Sequence, residues 1–182
     1  MRKSAFKFAL IAFALYGIFR LLLFQFGLAH DYYTIAVFAN MLILLLAIFF
    51  NLKTRKAELA KEKEYTNFFD DVKTCMRAGA LYALFVFGFV WLYYAQIDSG
   101  YLDMRIETRM EAAAEINFEE LTLEDNPHNK TREEFLEDER TFSEFIFAAS
   151  TQATFTLIGL IALSFIYSLF LAIFYRRVLA KL

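Results

Sequence analysis

The residue best equipped for chemistry sits where a charge is costly. In ALYGIFRLLLFQFG, residues 14–27, Arg20 has six uncharged residues before it and seven after it. A guanidinium stays charged at any biological pH and offers five N–H donors, so it can grip an anion or a set of carbonyl oxygens. At about 100° per residue, Ala5, Ala9, Ala12, Phe13, Tyr16, Arg20 and Gly27 share one helix face. In a second apolar run Tyr33, Ala36, Asn40, Ala47 and Asn51 share a face, and in a third Ala148, Ala149, Gln152, Thr156 and Gly159 do. Arg20, Asn40 and Gln152 all fall roughly 11–12 Å inside their runs at 1.5 Å per residue. The spacing predicts an intramembrane polar layer in which the Asn40 and Gln152 side-chain carbonyls accept from Arg20. Asp31, Asp98, Glu144, a lipid phosphate or a bound anion could balance its charge. Intramembrane charge defaults to a functional hypothesis. The simpler reading, in which Arg20 snorkels along its own helix and supports packing, carries more weight.

Other chemistry is thin. His30 and His128 lie in connections, Cys75 stands alone, and no phosphate loop or metal-ligand spacing occurs. Fifteen acids crowd residues 98–144, but none has the glycine-containing spacing of a calcium loop. The expectation is a chain that is not an enzyme, takes no cofactor or metal, and binds no nucleic acid.

The elements that must position Arg20 are membrane spans. Of the 182 residues 59% are hydrophobic and 19% aromatic, above the 45–50% apolar content of soluble domains. The apolar residues gather into spans of about 8–28, 33–52, 78–97 and 145–175, free of Asp, Glu, Lys and Arg except for Arg20. Each is long enough to cross about 30 Å of hydrocarbon. The first tolerates its Arg, since thirteen Leu, Ile and Phe contribute roughly −0.3 to −0.6 kcal/mol each against about +2.5 to +3.5 for the charge.

Charge sets the threading. Basic residues gather at the amino end (Arg2, Lys3, Lys7), in the 53–77 connection (Lys53, Arg55, Lys56, Lys61, Lys63, Lys73, Arg77) and at the carboxyl end (Arg176, Arg177, Lys181). The 98–144 connection is acidic, and AHDYYT in the first hairpin has no Lys or Arg. The positive-inside rule then places both termini and residues 53–77 in the cytoplasm and 98–144 outside the inner membrane. The amino end imitates a signal peptide, with Gly27-Leu28-Ala29 as a cleavage site; cleavage is disfavoured, because an odd number of spans would carry one basic end outside.

The connections read as helical. The second span is expected to extend past the membrane, and Asn67 or Thr66 to cap a new helix whose Phe68, Phe69, Val72 and Met76 lie in the interface. Lys53, Arg55 and Lys56 are candidate anionic-lipid contacts, though ordinary positive-inside anchoring accounts for them more simply. Outside, Leu102, Ile106, Met110 and Ala113 form one stripe of an amphipathic helix. Asn117 with Glu120 suggests a second cap, Pro127 a turn, and Thr131 with Glu134 a capping box. With no breaker after it, the last helix is expected to run unbroken from about residue 132. Asn129-Lys130-Thr131 fits a glycosylation sequon. The fold class is all-α: one integral membrane domain over 1–182, a four-transmembrane-helix bundle with a small extracytoplasmic helical hairpin.

The segment TNFFDDVKTCMRAGALYALFVFGFVWLYYAQIDSGYLDMRIETRMEAA resembles a bacterial four-helix membrane family, of Bacteroidetes type, classified as a domain of unknown function. Phe69, Gly79, Tyr93, Tyr94, Ile97-Asp98 and Tyr101, with the closing SLFLAIFYRR, carry the resemblance. Ser99-Gly100 stands where that family usually has proline. The resemblance implies membrane location and threading and no catalytic role. Small-residue faces, charged connections and sparse chemistry together suggest an accessory or scaffold subunit, binding another membrane protein, lipids or its own copies. The alternative is an oligomeric small transporter or channel with an anion-binding layer around Arg20.

Overall fold

The computed structural model describes residues 2–62, 66–116 and 130–178. Among them the chain forms α1 (Arg2–Gln25), α2 (Tyr33–Glu62), α3 (Phe68–Leu92), a π-helical stretch (Tyr93–Ile97), α4 (Ser99–Ala114), α5 (Arg132–Ile146) and α6 (Ala149–Arg177), with no strand. Four stretches are long and apolar enough to cross a membrane: Lys3–Gln25, Tyr33–Glu62, Phe68–Ile97 and Ala149–Arg177. The expected Asn117–Glu120 cap, the Pro127 turn, His128 and Asn129 of the sequon lie outside the described residues, as do Lys63 and Lys181.

The chain divides into two compact units. The first comprises residues 1–89 and 154–182. Here α1 buries Ala5, Ala9, Ala12, Tyr16 and Arg20, and α2 buries Ala36, Asn40, Leu44, Ala47, Ile48, Asn51 and Leu52. Small side chains on both faces let the two backbones approach, which is how helices pack when lipid removes the hydrophobic incentive. The hairpin between them is set by Gly27, at φ +69°. The Leu28 N–H bonds Leu23 O at 2.8 Å and the Gly27 N–H bonds Phe24 O at 3.0 Å, a Schellman stop that needs a left-handed residue at this position. Aromatic rings join α1 to α3: Phe13 meets Phe85 and Phe89 at 5.6 and 6.1 Å, and Tyr16 meets Phe89 at 6.0 Å.

Helix α6 is apolar on all sides, so periodicity cannot point to its packed face. The buried stripe is Leu160, Ser164, Ser168, Leu171 and Ala172. This corrects the face expected from the sequence, since Gly159 is exposed. Ser164 faces Gly79 of α3 so closely that a Cβ on Gly79 would lie 2.7 Å from the Ser164 Cβ. Helix α3 starts at the expected Asn67 cap. It is one continuous helix from Phe68, with Asn67 Oδ1 accepting from the Asp70 N–H at 2.9 Å. Its buried face is Asp71, Cys75, Ala78 and Tyr82, whereas Phe69 is 71% exposed.

The second unit spans residues 90–153. The π-helical turn closes when the Asp98 N–H reaches Tyr93 O at 2.8 Å, and the Tyr93 hydroxyl donates to Asp98 Oδ2 at 3.1 Å. Tyr94 stacks on Tyr101 at 5.9 Å. Beyond it α4 and α5 form a hairpin. Arg109 pairs with Glu139 at 3.1 Å and lies 5.0 Å from the Phe142 ring centroid. Arg132 caps α4 by donating to Ala114 O at 2.8 Å. Leu102 and Ala113 are buried on the facing stripe.

Thr131 and Glu134 form a complete capping box. Hydrogen bonds from the Thr131 backbone and hydroxyl hold the Glu134 carboxyl below its ordinary pKa. A carboxyl so lowered contributes above its unfolded value and loses that contribution as the pH falls through its folded value. Thr131→Ala is expected to cost about 1 kcal/mol of local helix stability at neutral pH and less in acid. Hydrogen exchange of the first turn of α5 at two pH values measures this.

The unbroken last helix expected from the sequence is interrupted. Phe147 leaves helical geometry at φ −90°, ψ 7°. The freed carbonyl of Ile146 accepts from the Gln152 side-chain amide at 2.9 Å, and the ladder resumes with the Gln152 N–H on Ala148 O at 3.0 Å. No glycine or proline marks the break. A glutamine six residues on satisfies it instead.

Candidate functional site

The most developed polar site lies in the first unit, around a carboxylate. Asp71 occupies the first turn of α3, where the helix dipole favours an acid, and it is only 2% exposed. Three groups converge on it. Lys56 Nζ of α2 lies 2.6 Å from Oδ1. The Thr66 hydroxyl donates to Oδ1 at 2.8 Å. Arg176 of α6 donates from Nε to Oδ2 at 2.7 Å and from Nη2 to Thr66 O at 2.6 Å. Lys56 also lies 5.9 Å from the Tyr175 ring centroid. One layer further along the bundle, Asn51 Nδ2 donates to Thr74 O at 2.8 Å, and the Ser4 hydroxyl donates to Asn51 Oδ1 at 3.1 Å. Ser4, Asn51 with Lys56, Asp71 with Thr74, and Arg176 tie α1, α2, α3 and α6 together at one end. Both oxygens of Asp71 are engaged by cations and a hydroxyl, which fixes the position of the carboxylate.

The residues expected to form an intramembrane layer each have a partner of their own. Arg20, 3% exposed, donates from Nη1 to Ala29 O at 3.2 Å and lies 5.7 Å from the Tyr33 ring centroid. It therefore bridges the turn made by Gly27. Asn40 Oδ1 accepts from the buried Tyr82 hydroxyl at 2.5 Å, linking α2 to α3. Gln152, in the second unit, donates to Ile146 O. Arg20→Leu leaves the Ala29 carbonyl without this donor. The expected loss is roughly 1–3 kcal/mol, read as a lower melting temperature in mild detergent; equal or higher stability would show that the hairpin does not depend on Arg20.

The family model described as "Protein of unknown function (DUF4199)" matches residues 7–177. The chain belongs to this family. The matched segment takes in Lys56, Thr66 and Arg176, which meet the Asp71 carboxylate. No curated protein and no solved structure matches the chain. With its four long apolar helices, this DUF4199 member has the architecture of a multi-pass membrane protein.

The structure separates the three basic residues singled out as lipid contacts in this DUF4199 chain. Lys56 is turned onto Asp71. Arg55 pairs with Glu58 at 3.5 Å. Lys53 is exposed. Sequence reasoning passed over Asp71, Thr66 and Arg176 as a group. One signal was present: Asp71, Cys75, Ala78 and Tyr82 follow helical spacing, so an acid heads the packed stripe of α3 inside a basic connection.

Proposed function

We propose that this DUF4199 protein is an accessory or scaffold subunit of the cytoplasmic membrane, with both termini and the Asp71 cluster on the cytoplasmic side and the α4–α5 hairpin outside. The observation that carries the reading is the buried polar clamp across α1, α2, α3 and α6. Its strong groups bind one another and fix the helix ends, as suits a part that holds shape rather than turns over a substrate. Side chains such as Leu15, Phe38, Ile158 and Phe170 point outward, each more than half exposed, and suit contact with lipid and a neighbouring span. The grip of Arg20 on Ala29 and Tyr33 favours a hairpin-holding role over anion binding in an oligomeric transporter or channel.

Two experiments test this. Affinity purification of the full chain in mild detergent is expected to recover a stoichiometric membrane-protein partner; a lone monomer would overturn the accessory role. For threading, a membrane-impermeant maleimide applied to intact cells is expected to label Asp103→Cys and spare Lys53→Cys. The reverse pattern would invert the assigned orientation.

A further inference from the structure

We infer that Arg55, with Lys53 at its rim, binds the phosphate of an anionic phospholipid, and that Lys56 takes no part. The uncharged run of α2 ends at Leu52. Arg55 follows one turn later, about 4.5 Å further along the axis, at the level of the headgroups. It continues the packed stripe of α2, with Leu52 and Leu59 a turn to either side at 1% and 3% exposure. Its own side chain is 16% exposed, and its Nη1 meets the half-exposed Glu58 carboxylate at a long 3.5 Å. The Nε is buried with no hydrogen-bond partner among the described residues. An unsatisfied buried donor on a charged group is costly, and the long arginine stem allows the head to swing outward past Glu58.

The group that best rewards that swing is a phosphate. The Nε and Nη2 edge of a guanidinium matches two phosphate oxygens in a bidentate fork, which a lysine cannot reproduce. Anionic headgroups concentrate at this depth on the cytoplasmic leaflet, and Lys53 is exposed beside the site. Lys56 is already held by Asp71 and Thr66. The inference rests on the membrane placement proposed above and not on any protein partner. A lone monomer in the purification experiment would leave it intact.

The test uses the full chain in nanodiscs of phosphatidylcholine with phosphatidylglycerol, counting bound lipids by native mass spectrometry after release. The wild type is expected to retain phosphatidylglycerol over phosphatidylcholine. Arg55→Lys, which keeps the charge and loses the fork, is expected to lower that preference about tenfold, the worth of one charge-assisted hydrogen bond. Lys53→Gln is expected to lower it less. No preference in the wild type, or an unchanged preference in Arg55→Lys, would overturn the assignment. Should Arg55→Lys fail to fold, Lys53→Gln decides: an undiminished preference there would also overturn it. Inorganic phosphate forms a separate arm. If millimolar phosphate raises the melting temperature of the wild type in pure phosphatidylcholine, and Arg55→Lys abolishes the rise, the ligand is the free anion and the lipid assignment falls.

Discussion

Asp71→Ala is expected to destabilise the folded bundle by roughly 3–5 kcal/mol, the cost of removing one partner from a buried ion pair. The loss exceeds that of an ordinary surface pair because two cations share the one carboxylate. Lys56 lies 2.6 Å from Oδ1 and Arg176 2.7 Å from Oδ2. Without the acid both are left close together at the end of the bundle, and Thr66 loses an acceptor. Asp71→Asn keeps the shape and removes the charge, so it should retain only part of the stability. Since Lys56 and Arg176 act on one group, Lys56→Ala and Arg176→Ala should combine non-additively. Reversible unfolding of the full chain in mixed micelles provides the measurement. An Asp71→Ala variant within 1 kcal/mol of wild type would show that the cluster contributes little, as many exposed ion pairs do.

Gly79→Ala is the second large effect, expected at roughly 1–3 kcal/mol from overpacking. The added Cβ would lie 2.7 Å from the Ser164 Cβ and 3.2 Å from Ile48 Cδ1. Neither neighbour gives way easily, for Ser164 and Ile48 are both 0% exposed. The clash is with the stem of Ser164 as well as its hydroxyl, so Ser164→Ala should rescue little and Ser164→Gly most of the loss. By contrast Gly88→Ala should be neutral, since a Cβ there meets nothing within 4 Å. A thermal-shift series on the four single variants and on Gly79→Ala combined with Ser164→Ala or with Ser164→Gly separates these outcomes. Equal stability of Gly79→Ala and Gly88→Ala would mean that α3 and α6 do not cross this closely.

The four spans were legible because each apolar run is far longer than a buried helix requires, and the extension of α2 followed from its unbroken helical spacing. The capping box at Thr131 was legible for a local reason: both partners lie within four residues. Three features were not. The packed stripe of α6 escaped because its residues are apolar all round, so Ser164 and Ser168 carry no visible pattern. The break at Phe147 escaped because it depends on a side chain, Gln152, taking over a backbone bond, with no Gly or Pro to announce it. The Asp71 cluster escaped because its partners are brought together by tertiary packing. Reading Arg20, Asn40 and Gln152 as polar groups facing inward located residues that do hold buried or half-buried bonds, but spacing within one helix cannot name partners on another.

The distance along the chain between Asp71 and Arg176, 105 residues, orders events at the ribosome. The turn at Gly27 and the Arg20 bond to Ala29 can form once the first hairpin has been made. The carboxylate, however, must wait for 105 more codons before its second cation arrives, roughly 5–20 s later at usual rates of synthesis. During that interval only Lys56 and Thr66 can hold it, so the nascent chain passes through a stage with three spans made and one end still open. A ribosome stalled just before residue 176 would capture that stage.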